Sequence, residues 1–447
     1  MKLPELNFSG DRMRFKNVYD NYSSDLHRDV VKAWLFDDLS HRRIDSEILN
    51  LDSDFTHGFE SMNILHYFGI NEEFKKEFKA MLRSNDIESI IFQFELCSDS
   101  NYDEFIRILK MLNNNKFNIS IEDIPNLLIT QDVLDKVSAA LISRKNIILE
   151  GVPGTGKTYL ATKFAEKSMG DEGYILTTAT SDWTTFDTIG GLMPNENGEL
   201  VFHEGKFLQA IRENKWLIID EINRADIDKS FGQLFTVLSG QNVELPYSIK
   251  DLGNEEKSIK IKLWEKCHSD YVENEATYYI GKNWRIIATM NSYDKNSLFD
   301  LSYAFMRRFT FIEIEVPKKF KELIELWTKN KNLKEFIQST KKFIDKLESV
   351  YSINYGEESK VINRQIGPAI FLDIIKYLNY RLDIEGNNEY DDKILSEAIN
   401  AFIIPQFEGL SREKLDILKE FFINKVFDDE NNVKSFYNKL NDLKPFY

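Results

Sequence analysis

Cysteine is scarce in this chain of 447 residues: Cys97 and Cys267 are the only two, with no Cys-x-x-Cys spacing and no histidine cluster near either. That excludes a disulfide framework and a structural zinc site, and leaves two ordinary thiols. The six histidines, among them His27, His66 and His203, are scattered without ligand spacing and read as surface or satisfied core residues. Long apolar runs are missing too. None approaches the roughly 18 residues that span a bilayer, so no membrane segment is expected. The start, Met1-Lys2-Leu3-Pro4-Glu5, lacks the apolar core of a signal peptide, which points to a cytoplasmic location. There is no surplus of positive charge. The formal net charge of −16 speaks against a uniformly basic nucleic-acid surface, while a local basic patch, and so DNA contact, stays open.

What is present is an ordinary globular composition, 42% hydrophobic and 29% charged, over a length that calls for two or three packed units. Residues 1–125 carry no glycine-rich loop, no repeat and no catalytic spacing. Their apolar residues recur at helical spacing, as in Phe74, Phe78 and Met81 or Phe105, Ile108, Leu109 and Leu112, so a mostly helical N-terminal domain is expected. Residues 1–130 are acidic, with 15 lysines and arginines against 23 aspartates and glutamates. Asn113-Asn114-Asn115-Lys116 and Ile124-Pro125-Asn126 make a plausible linker. Over 126–316, a helical pattern at 131–143 leads into Asn146-Ile147-Ile148-Leu149-Glu150. Trp216-Leu217-Ile218-Ile219-Asp220 and Trp284-Arg285-Ile286-Ile287-Ala288-Thr289 are two further buried-strand candidates, and helical patterns separate the three. Strands alternating with helices imply an α/β parallel sheet flanked by helices. Over 317–447 strand signals vanish and amphipathic segments at 320–327, 370–378 and 415–422 predict a helical C-terminal unit.

Gly151-Val152-Pro153-Gly154-Thr155-Gly156-Lys157-Thr158 fits G-x-x-x-x-G-K-[ST], directly after a predicted strand and opening a helix predicted over 158–167. Glycines allow the tight path that aims successive N–H groups at phosphate oxygens, and the helix N-terminus adds its positive dipole end. Lys157 is expected to reach the β- and γ-phosphates and the Thr158 hydroxyl to ligate Mg²⁺, with Tyr159 closing the binding segment. The strand ending in Asp220-Glu221 delivers two carboxylates to the same mouth of the sheet. Asp220 is expected to hold the Mg²⁺ hydration shell and Glu221 to orient or polarise the attacking water. The third strand ends at Asn291, whose amide could position that water, although an Asn closing a strand is more often a turn former. Arg307 and Arg308 follow a short helical pattern. Adjacent arginines are usually a solvated face, yet arginine is also the residue that a phosphoryl-transfer site borrows from a neighbouring subunit.

These motifs resemble the AAA+ ATPases, and within them the branch of McrB restriction GTPases and MoxR-like and dynein-related ATPases, over roughly residues 128–380. The carriers are the P-loop, Ile219-Asp220-Glu221-Ile222-Asn223-Arg224-Ala225, and Met290-Asn291-Ser292-Tyr293-Asp294-Lys295, which is similar to the McrB-type signature. Gly190-Gly191-Leu192-Met193-Pro194 with 197–205 looks like the hairpin that interrupts the second helix in this branch and often lines a ring pore. The resemblance implies an AAA+ core with a helical C-terminal lid, Asn291 as sensor 1, and Arg308, with Arg307 beside it, as the arginine finger acting in trans. It implies active sites shared between subunits of a ring, commonly a hexamer. The sequence departs from the family at Ala369, where a lid arginine often stands, which leaves Arg364 as the sensor 2 candidate. It also departs at 241–283, which is long enough for an extra hairpin or a partner-binding insertion.

Function follows the resemblance: an NTPase motor, McrB-like, in a modification-dependent restriction or anti-phage defence system, with a McrC-like nuclease subunit as partner, since no nuclease constellation occurs in this chain. The alternative is a MoxR-like ATP-dependent chaperone or assembly factor; the 290–295 signature favours the first. A nucleotide-binding scaffold without turnover is opposed by the intact Lys157, Thr158, Asp220 and Glu221. The substrate is ATP by family frequency, with GTP as the alternative.

Overall fold

The computed structural model describes residues 4, 13–52, 57–82, 87–96, 102–115, 117–250, 256–292, 299, 301–385, 391–427, 438–440 and 443. Cys97, Lys116, residues 251–255 of the long insertion, and Tyr293-Asp294-Lys295 of the third motif lie outside them.

Five parallel strands form the centre: β1 (Asn146–Gly151), β2 (Tyr174–Thr178), β5 (Trp216–Asp220), β10 (Ile286–Asn291) and β11 (Phe309–Ile314), in the order β11-β1-β10-β5-β2. β3 (Gly190–Pro194) and β4 (Leu200–Glu204) pair as an antiparallel hairpin. β6 (Val243–Lys250), β7 (Glu256–Leu263), β8 (Asp270–Val272) and β9 (Thr277–Ile280) make a separate sheet in the order β6-β7-β9-β8. The long insertion is therefore a four-stranded sheet, larger than a hairpin.

Burial on both faces explains the continuous apolar strands. In β5, Trp216 and Ile218 pack into one layer with helices Gln131–Ile142 and Lys157–Met169, while Leu217 and Ile219 pack into the other. That second layer contains Phe207, Leu208 and Ile211 of helix Lys206–Arg212, and Leu245, Ile259, Ile261 and Tyr278 of the inserted sheet. β2 and β11, on which no strand was expected, complete the sheet at its two edges. β2 reads Tyr-Ile-Leu-Thr-Thr and is only partly buried, so it lacks the apolar run that marks an inner strand.

N-terminal helices, including Glu72–Leu82 and Asp103–Asn115, enclose their own core around Phe74, Phe78, Phe94 and Phe105. Phe117, Ile119 and Ile124 belong instead to the central-sheet core, and Ser138 Oγ donates to the Phe117 carbonyl at 2.8 Å. C-terminal helices, among them Phe320–Lys329, Pro368–Glu385 and Arg412–Lys425, share a third core that reaches Val152 of the glycine loop. Among the described residues no helix is long and apolar enough to cross a membrane.

Candidate functional site

The glycine loop turns from β1 into helix Lys157–Met169. Gly156 caps that helix at φ +84°, a left-handed backbone that favours glycine; a Cβ there would also come within 2.4 Å of Leu127 Cδ1, the free end of a side chain that can turn aside. The Lys157 side chain is buried and folds back on the loop, donating to the carbonyls of Gly151 at 3.0 Å and Val152 at 2.8 Å. Burial pushes its ammonium down to about 8, with Asp220 and Glu221 offsetting part of the shift.

Beside the loop, one oxygen of Asp220 accepts two hydroxyl hydrogen bonds, from Thr158 at 2.6 Å and from Thr289 at 2.5 Å. The Thr289 oxygen in turn accepts from the Glu221 amide at 3.0 Å. Glu221 takes the left-handed backbone at φ +53°, a conformation that costs a non-glycine residue about 1 kcal/mol or more and recurs at functional turns. Both its carboxylate oxygens are engaged. Asn291 Nδ2 donates to Oε1 at 3.0 Å, and the Arg224 guanidinium pairs with Oε2. Asn223 Nδ2 donates to the Asn291 carbonyl at 3.2 Å, tying the turn after β5 to the end of β10.

These groups open into one cleft of about 410 Å³, within the usual size of a ligand pocket. Pro153 to Tyr159, Asp220, Glu221, Thr289 and Asn291 line it on one side. Leu127, Leu128, Leu323, Trp327 and Leu372 supply an apolar wall. A larger groove of about 970 Å³ runs between helix Gln131–Ile142 and β11, but no motif residue lines it. Convergent polar chemistry, and not volume, marks the cleft.

The C-terminal unit closes over the loop by direct contact. A Cβ on Gly367 would lie 2.0 Å from the Pro153 carbonyl, and the Ala369 amide donates to the Gly154 carbonyl at 3.2 Å. Buried Asn354 shapes this approach: it accepts from the Ile366 amide at 2.7 Å and donates to the Ile366 carbonyl at 3.0 Å.

Sequence-predicted residues thus divide. Gly151 and Val152 form the loop's entry. Pro153, Gly154, Thr155, Gly156, Lys157, Thr158, Tyr159, Asp220, Glu221 and Asn291 meet at the cleft; Arg307, Arg308 and Arg364 do not line it. Arg364 donates to the carbonyls of Gln406 at 2.8 Å and Glu408 at 2.7 Å, inside the lid. Arg308 donates to the Phe235 carbonyl and to Ser239 Oγ, each at 3.0 Å, and to the Ala304 carbonyl. Arg307 is exposed. Sequence reasoning missed Thr289, Arg224 and the wall at Leu127 and Leu128. Thr289 shares a strand face with Asn291, two residues on, and that spacing was its one available signal.

Residues 146–309 match the family model of the AAA domain, dynein-related subfamily. The Type IV methyl-directed restriction enzyme EcoKMcrB subunit of Escherichia coli (strain K12) is 27% identical over 339 residues, 72% of this chain and 62% of that one. The Type II restriction enzyme BsuMI component YdiS of Bacillus subtilis (strain 168) is 28% identical over 232 residues, 43% of this chain and 64% of that one. Midasin of Dictyostelium discoideum is 34% identical over 99 residues, 22% of this chain and 2% of that one. The chain spans less than two thirds of the length of both restriction-enzyme relatives.

Proposed function

We propose that this chain, whose residues 146–309 match the AAA domain of the dynein-related subfamily, is an AAA+ P-loop NTPase of the McrB and dynein-related branch, that it hydrolyses ATP at sites shared between subunits of a ring, most simply a hexamer, and that it drives a restriction system. The observation that carries this reading is the hydroxyl and carboxylate cluster at the loop: Thr158 and Thr289 on Asp220, and Asn291 on Glu221, all at one cleft.

The loop amides and the N-terminus of helix Lys157–Met169 hold the phosphates. Lys157 leaves the Gly151 and Val152 carbonyls and turns its ammonium to the β- and γ-phosphates. Thr158 and Asp220 present hard oxygens 2.6 Å apart, a donor set that fits a cation which otherwise keeps waters and phosphate oxygens. Mg²⁺ held there would neutralise charge on the transferred phosphoryl group. Glu221 polarises the attacking water once its carboxylate exchanges Arg224 for that water, while Asn291 keeps it aimed. The apolar wall of Leu127, Leu128 and Trp327 suits the nucleotide base. Because Arg308 is tied down within its own subunit, exposed Arg307 is the better donor to a neighbour's site.

The restriction role rests on the names of the two long relatives, and a McrC-like nuclease as partner rests on the same likeness. Steady-state phosphate release from ATP and from GTP, with Mg²⁺, tests the chemistry beside Glu221→Gln and Lys157→Ala. Loss in both variants is expected. Unchanged hydrolysis by Glu221→Gln refutes the assigned base, and a strong GTP preference replaces ATP as substrate. Activity indifferent to DNA and to any nuclease partner favours the chaperone reading.

A further inference from the structure

Nucleotide chemistry leaves the inserted sheet unused. In β7 the alternate residues Ile259 and Ile261 are buried against the core, so Lys260 and Lys262 between and after them face outward. Lys262 stands opposite Tyr279 of β9, with its ammonium 5.9 Å from the ring centre. Past the strand, the Lys266 ammonium lies 4.0 Å from the centre of the Trp264 ring. The Trp264 and Tyr279 rings are 4.9 Å apart, tilted by 35°.

Two of the acids here are already engaged. Glu275 accepts from the Tyr279 hydroxyl at 2.6 Å, and Glu265 pairs with Lys282 at 2.6 Å. Glu244 stands opposite Lys260 in register, but no carboxylate pairs with Lys260, Lys262 or Lys266 among the described residues. Beyond Lys282 lies a cavity of about 360 Å³ lined by Lys110, Arg144, Lys282, Arg285 and Glu95, in which Lys110 pairs with Glu95 and buried Arg285 donates to the Leu141, Lys282 and Trp284 carbonyls. Asp270 of β8 stands opposite Tyr279 in register, so it, Glu244, Glu265 and Glu275 share this side with Lys260, Lys262, Lys266 and Lys282.

We propose that the outer face of the inserted sheet binds single-stranded DNA, with Lys260, Lys262 and Lys266 on phosphates and Trp264 and Tyr279 stacking bases. Lysines interleaved with ring faces are the arrangement that unpaired strands require, because every base offers a π-face and every linkage a charge. An acidic protein partner would use the lysines but not the rings, and in a duplex the base faces are already stacked. The choice of DNA rests on the restriction reading above.

The test is fluorescence anisotropy of a labelled oligothymidylate of about 20 nucleotides, longer than one typical binding site, with the full chain. Duplex DNA and an RNA of the same length are the comparison arms. The double variant Lys262→Glu, Lys266→Glu should weaken binding at least about tenfold and lower the salt slope by about 1.4, from about 0.7 per phosphate contact. Trp264→Ala should weaken it about fivefold to a hundredfold, the usual span for one stacked base, and Trp264→Phe should restore most of that. Nucleotide hydrolysis should stay unchanged in all three. Absent binding by a hydrolysing wild type overturns the inference alone, as do undiminished binding by the lysine variant and equal affinity for duplex or RNA. Binding by a protein that hydrolyses nothing leaves this inference standing and sinks the NTPase reading.

Discussion

Nucleotide binding should take up a proton, and the amount is set by Lys157. Burial holds its ammonium down at about 8 in the free protein. A bound triphosphate puts several negative charges beside it and returns the group to its ordinary, fully charged range. At pH 8 about half of the lysines are neutral, so binding should take up about 0.5 proton; the figure falls to about 0.1 at pH 7 and rises to about 0.9 at pH 9. Affinity should therefore weaken as pH rises through 8, approaching tenfold per unit by pH 9 and above. Calorimetric titration with ATP, in EDTA and in buffers of different ionisation enthalpy, measures the uptake directly. Stability carries the opposite sign. A lysine depressed by burial disfavours the folded state fully below pH 8, and the penalty, about 3 kcal/mol at about 1.4 kcal/mol per unit, is relieved as pH rises towards 10.5. Affinity independent of pH between 7 and 9, or no proton uptake at pH 8, would refute the reading that burial outweighs the pull of Asp220 and Glu221 on this lysine.

Gly156→Ala should cost about 1–2 kcal/mol from the positive φ and should abolish nucleotide binding; thermal melts and equilibrium binding read both effects. Asn354→Ala removes two buried hydrogen bonds to Ile366 and should lower stability by about 2–3 kcal/mol while weakening nucleotide affinity, because the lid loop at 366–369 loses its support; binding that stays intact in the folded variant would show that the loop holds itself. Arg307→Ala should abolish hydrolysis with normal nucleotide affinity and an unchanged melting temperature. Arg308→Ala should lower stability by about 1–2 kcal/mol through the loss of its bonds to Phe235 and Ser239, and the reverse pattern would exchange their roles.

Legibility followed locality. The glycine loop with its flanking strand and helix is one contiguous run, and the helix observed at Lys157–Met169 overlaps the 158–167 expected. β1, β5 and β10 read as apolar runs because both their faces are covered. β2, at one edge, is only partly covered and carries no apolar run, whereas β11, at the other, packs Phe309 and Phe311 into one core and Ile312 and Ile314 into the other but is broken by Thr310 and Glu313. The insertion was visible only as a long charged stretch. Its lysines alternate with isoleucines in β7, so charge and core sit on opposite faces of one strand, and composition averages the two away.

What the sequence determined by itself is what a short segment can dictate: a glycine-rich turn between a strand and a helix, a buried strand ending in Asp220-Glu221, and helices whose apolar residues recur at 3.6. Only the tertiary structure decided which distant side chains meet there. Thr289 reaches Asp220 across 69 positions, Gly367 comes up against Pro153, Leu127 packs on Gly156, and Arg308 spends its guanidinium on Phe235 and Ser239. Such contacts follow from strand order and from how helices close over a sheet, and a single linear pattern carries neither.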